Sequence, residues 1–150
     1  MCGEFKLFTE GYMKLSVAAL WFGLSLLLFS CGGNKLPTTI DVTMSDYKFT
    51  PNVITVPAGE HITLNFTNTG FVSHRFVIFE LGVTAGTSFG AEDDGNIYWF
   101  YEVLPGHEDT ALFTAPSEPG EYFLTCGIHG HLEAGMKGEL IVIAENDGAK

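Results

Sequence analysis

Apolar and polar residues alternate along much of the chain downstream of residue 39. Ile40, Val42 and Met44 are interleaved with Asp41 and Thr43. A period of two predicts a half-buried strand, because successive side chains on an extended backbone point to opposite faces. Ile62, Leu64 and Phe66 repeat the pattern through His61–Thr67, and Asn68-Thr69-Gly70 then supplies a turn. Further strands are expected over Asn52–Val56, stopped by Pro57-Ala58-Gly59, and over His74–Phe79, Tyr98–Val103, Thr110–Thr114, Glu121–Thr125 and Glu139–Ile143. About eight short strands separated by turns predict an all-β Greek-key sandwich or barrel. Neither an internal repeat nor a helical period follows residue 30. Leu81–Asn96, with its acidic Ala91-Glu92-Asp93-Asp94-Gly95, has no period and reads as a solvated loop, with partner recognition as the alternative.

The N-terminal region is patterned differently. Leu15 to Ser30 is an uncharged apolar run of sixteen residues preceded by Met13 and Lys14. It falls short of the ~20 residues that span a bilayer and suits the apolar core of an export signal. Leu28-Phe29-Ser30-Cys31 resembles the cleavage box of bacterial lipoproteins, which implies lipidation of Cys31. The expected organisation is therefore a signal over 1–30, with Met13 as an alternative start, a lipidated tether over 31–38, one domain over 39–144 and a flexible tail over 145–150. The expected location is extracytoplasmic, on a membrane surface.

Charge narrows the partners. The chain has 18 Asp and Glu against 7 Lys and Arg, a net charge of −11, and no cluster of basic residues. Nucleic acid is excluded as a ligand, since phosphate binding needs a basic footprint. An acidic protein is instead steered towards partners with basic docking surfaces. Once Cys2 and Cys31 are assigned to the leader and the lipid anchor, Cys126 is the remaining thiol. A solitary cysteine in an exported protein points to a reactive group or a metal ligand.

Cys126 opens the segment Cys126-Gly127-Ile128-His129-Gly130-His131-Leu132-Glu133-Ala134-Gly135-Met136, with four residues between Cys126 and His131 and four between His131 and Met136. Soft sulfur suits Cu(I) and imidazole suits both copper oxidation states. A His₂Cys plane with a weak axial Met is thus a ligand set for a redox-cycling copper ion. His74, at the start of a predicted strand on the face of Phe76 and Ile78, is the candidate second imidazole. The ligand set expected is His74, Cys126, His131 and Met136, with His129 as an alternative ligand. A zinc site built from Cys126, His74, His129 and His131 is chemically possible but leaves Met136 without a role. His61, His107 and Met44 read as structural: two surface imidazoles and one core residue. Phe71 and Leu132 are expected to form an apolar rim around the ion.

Leu104-Pro105-Gly106-His107, Ala115-Pro116-Ser117-Glu118-Pro119-Gly120-Glu121-Tyr122-Phe123-Leu124-Thr125-Cys126, the His131–Met136 loop and Ser73-His74-Arg75-Phe76 together resemble the cupredoxins, in particular the plastocyanin, azurin and auracyanin group. The resemblance covers about residues 39–144. It implies a Greek-key β-sandwich, one type 1 copper ion, and electron transfer by a monomer without substrate turnover. His129 stands where relatives with this loop length often carry Pro. It also has the Cys–His spacing of plastocyanins, but only His131 satisfies their His–Met spacing as well. Arg75 stands where plastocyanins and azurins carry an Asn that braces the copper loop. Three functions compete on the sequence: a one-electron carrier between redox proteins, a copper storage, delivery or sensing protein, and a copper enzyme. The last needs a second copper site that one domain of this size does not supply.

Overall fold

A computed structural model describes residues 36–144, and the alternating pattern becomes nine strands among those residues. They are β1 (Thr39–Ser45), β2 (Lys48–Thr50), β3 (Val53–Pro57), β4 (His61–Asn68), β5 (His74–Phe79), β6 (Ile97–Val103), β7 (Glu108–Thr114), β8 (Gly120–Cys126) and β9 (Lys137–Ile143). One sheet has the order β2-β1-β4-β7 and the other β3-β9-β8-β5-β6. The chain passes repeatedly between the sheets, and the all-β two-sheet sandwich expected from the sequence is the fold observed. The export signal, Cys31 and the tail from residue 145 lie outside the described residues. No described helix is long and apolar enough to cross a membrane.

The strand missing from the sequence reading is β2. Three residues with one apolar position carry no readable period, yet Phe49 is buried and β2 pairs antiparallel with β1. The main core lies between the sheets, where Met44, Phe49, Ile62, Leu64, Phe66, Phe76, Ile78, Leu124 and Leu140 are almost fully buried. Burying side chains of this size stabilises the fold by about 1.5–3 kcal/mol each relative to exposure, before conformational entropy is subtracted.

The stretch read as a solvated loop behaves differently. Ala85 and Phe89 are buried against Val77, Phe79 and Leu132 on the outer face of the larger sheet, forming a second apolar cluster. A 3-10 turn over Ala91–Asn96 closes the stretch, and the buried Asp93 accepts a hydrogen bond from the Gly90 amide at 2.9 Å. This covering explains why β5 is buried on both faces, whereas β4 alternates between buried and partly exposed positions. Leu132 therefore belongs to this cluster and is 7% exposed, so it is not an open rim; Phe71 is 90% exposed.

Candidate metal centre

The sheet order brings the candidate ligands together. β5 runs antiparallel to β8 with Phe76 opposite Cys126, so the start of β5 and the end of β8 lie at the same end of the sandwich. His74 opens β5 and Cys126 closes β8. His131 and Met136 lie on the connection to β9, which is tied back to β8 by backbone bonds. The Met136 amide donates to the His131 carbonyl at 2.9 Å, and the Cys126 amide donates to the Met136 carbonyl at 3.0 Å.

Three donors converge. His74 Nδ1 and His131 Nδ1 are 3.2 Å apart, and Cys126 Sγ is 3.8 Å from the first and 3.4 Å from the second. The point equidistant from all three lies about 2 Å from each, a metal–nitrogen bond length. All three side chains are buried, as is Met136 at the loop's end. The donor set fits an ion: two imidazoles and a thiol, all buried, bring one donor atom each to within 4.8 Å of one another. His74, Cys126 and His131 are thus positioned to bind one copper ion. His129 is not in this group; its side chain is 90% exposed and faces Glu133 at 3.8 Å. His61 and His107 are on the surface and Met44 is in the core.

Two braces were not legible in the sequence as such. Asn68, read as a turn residue, is buried; its Nδ2 donates to the carbonyls of Val72 at 2.9 Å and Val103 at 3.0 Å, and its Oδ1 accepts from the Gly70 amide. It pins the segment that leads into His74, since each of these buried polar groups must find a partner. The other is the Arg75 carbonyl, which accepts from the Gly127 amide at 2.8 Å and couples β5 to the ligand loop through the backbone. The Arg75 guanidinium stacks over Phe100 at 4.0 Å and meets Asp94 at 3.8 Å. Only the position of a polar residue ahead of the first histidine signalled Asn68.

Burial sets the proton affinities. It lowers His74 below the ordinary imidazole value of 6.5, with the neighbouring His131 acting in the same direction and Asp46 opposing both. Burial likewise lowers His131, and it pushes the Cys126 thiol up. For the two histidines the unfolded chain binds protons more tightly than the folded one. The metal-free fold therefore loses stability as pH falls from about 6.5 towards the depressed folded values, and is flat in this respect below them. Urea unfolding of the metal-free protein should show a lower midpoint at pH 5.5 than at pH 7.5. An equal or higher midpoint at the lower pH would contradict the burial of neutral imidazoles.

Residues 16–142 match the family model described as a cupredoxin-like domain. The chain is 32% identical over 115 residues to the copper-resistant cuproprotein CopI of Rubrivivax gelatinosus, covering 72% of this chain and 68% of that protein. Dithionite-reduced auracyanin from the photosynthetic bacterium Roseiflexus castenholzii superposes with a TM-score of 0.60 at 30% identity, over 72% of this chain and 98% of that one. Reduced rusticyanin shares the fold at a TM-score of 0.51 and 23% identity, over 71% of this chain and 81% of that one.

Proposed function

The chain belongs to the cupredoxin-like family, and on that premise we propose that it is a one-electron carrier tethered to the extracytoplasmic face of a membrane. The observation that supports this most directly is the buried convergence of His74, Cys126 and His131 within 3.2 to 3.8 Å of one another. Copper, when bound, supplies a one-electron couple between Cu(II) and Cu(I). The protein's part is to hold the donors still while that charge changes. His74 comes from a strand, Cys126 from the end of another, and His131 from a loop hydrogen-bonded at both ends. Each donor is fixed by elements that the whole sandwich holds together. Apolar burial keeps water from the thiol and the imidazoles, so the surroundings need little rearrangement.

Met136 would complete the proposed set as a weak fourth donor. It is fully buried, and its backbone is bonded to both His131 and Cys126. Met136→Leu should keep the blue absorption and raise the reduction potential, because removing a fourth donor leaves His74, Cys126 and His131 as a three-coordinate set, which favours Cu(I) over Cu(II). Voltammetry of the variant checks this; an unchanged potential would remove Met136 from the centre.

The partners proposed are a redox donor and acceptor with basic docking surfaces, met by a monomer of net charge −11. Lipidation at Cys31 would confine the domain to the membrane and raise its effective concentration near them. The second reading, copper storage, delivery or sensing, draws support from the name of the copper-resistant cuproprotein that the chain is similar to. Copper retention separates the two. A carrier keeps its ion through repeated reduction and reoxidation in the presence of a Cu(I) chelator; a delivery protein surrenders it on the first reduction.

A further inference from the structure

His74 has two ring nitrogens and only one faces the donor cluster. Nδ1 lies 3.2 Å from His131 Nδ1 and 3.8 Å from Cys126 Sγ, so it is the nitrogen available to an ion. Nε2 must then carry the proton. That atom is buried and makes no hydrogen bond among the described residues, and a buried donor without an acceptor is costly. The charged group that faces it is Asp46, on the turn between β1 and β2, with Oδ1 3.6 Å from Nε2. The same oxygen accepts a hydrogen bond from the Phe71 amide at 3.1 Å, which anchors the carboxylate to the segment leading into His74.

Two further features fit a built contact. A Cβ at Gly70 would collide with Asp46 Oδ1 and stand 2.7 Å from His74 Nε2, so a bare backbone at that position lets the two side chains meet. Tyr47, next to Asp46, adopts φ 64°, a left-handed conformation that residues with a side chain seldom take. Strained backbone of this kind persists where the surroundings hold it, often at functional sites. Its ring meets His131 edge-on, with centroids 5.2 Å apart and planes at 79°. The turn thus touches both imidazoles of the centre from outside.

We propose that Asp46 is a positioning residue for the copper centre, its carboxylate accepting the His74 Nε2 proton and so fixing the ring and strengthening Nδ1 as a donor. The inference rests on the copper-carrier reading. A histidine whose outer nitrogen donates to a carboxylate is a better ligand, and it favours the higher-charged ion. Removing such a partner typically weakens metal binding by about 10- to 100-fold. If Cu(II) loses about tenfold more affinity than Cu(I), the potential rises by about 59 mV.

The test compares wild type, Asp46→Asn, Asp46→Ala and Glu133→Gln as full copper-loaded proteins. Glu133 is the control for charge alone, since it acts on His131 only through the field. The expected result is a potential that rises in Asp46→Ala, rises less in Asp46→Asn, and stays close to wild type in Glu133→Gln. In the Cu(I) protein, the slowly exchanging His74 Nε2 proton should be visible by nitrogen-edited NMR and exchange faster in Asp46→Ala. A blue Asp46→Ala with wild-type potential and unchanged proton exchange would overturn the proposal. Equal shifts in Asp46→Asn and Glu133→Gln would do so too, by reducing the effect to charge. A wild-type protein with no blue band would overturn the carrier reading and this one with it.

Discussion

Cys126→Ser is expected to eliminate the intense visible absorption of the Cu(II) protein while the sandwich stays folded. The band belongs to a copper–thiolate bond, and Cys126 carries the thiol that, among the described residues, converges on His74 and His131. A serine hydroxyl is nearly the same size but is a hard, protonated donor and a poor ligand for Cu(I). The cost to the fold is that of a hydroxyl in a fully buried position, about 1–3 kcal/mol. That is less than the ~5–15 kcal/mol by which domains are ordinarily stable. Absorption of the loaded variant, alongside its far-ultraviolet circular dichroism, reads both parts of the prediction. A folded variant that kept the blue band would place the colour on another ligand.

Phe76→Ala carries the largest expected effect on stability. Phe76 is 1% exposed, and its ring centroid lies 5.2 Å from those of both Phe49 and Phe66 and 6.4 Å from that of Trp99. It therefore joins β2, β4 and β6 at the centre of the core. Truncating a buried phenylalanine removes its transfer free energy and leaves a cavity, at a cost of about 3–5 kcal/mol. Such a loss is a large share of the whole stability. Urea unfolding of the metal-free variant should show it as a lower midpoint at unchanged slope. A loss below about 1 kcal/mol would mean that the aromatic cluster is not the centre of the core.

Phe76 also shows why much of this molecule was legible from sequence. It sits on a strand that is apolar on both faces, and the two-residue repeat of an extended backbone puts it, Ile78 and His74 on one of them. The alternating pattern identifies β1 and β4, and the Cys126–His131 spacing points to an ion site at the place where these two residues converge with His74. What escaped notice lacks a local signature. β2 is too short to show a period, although Phe49 in it helps close the core. The 81–96 stretch has no regular pattern, and its apolar residues are spaced to cover a sheet, so Phe89 meets Phe79 only through the fold. Leu132, expected at the rim with Phe71, packs instead into that second cluster.

The polar braces were hidden for a related reason. Asp46 and Asn68 are common turn formers, and a turn residue read alone looks solvated. Their meaning comes from groups far along the chain: Asn68 holds the Val103 carbonyl, and Asp46 faces His74. Spacing thus announces residues that bind an ion directly, whereas residues that orient the ligands become visible only when strands distant in sequence are brought side by side.

Electron transfer itself is tested most directly by spectroelectrochemistry of the copper-loaded protein, with visible absorption followed while the electrode potential is swept down and back. The predicted result is an intense blue band that bleaches with the uptake of one electron per protein and returns in full on reoxidation, with the copper still bound. A colourless protein, or a band that disappears on reduction and does not return because the ion has left, would contradict a one-electron carrier.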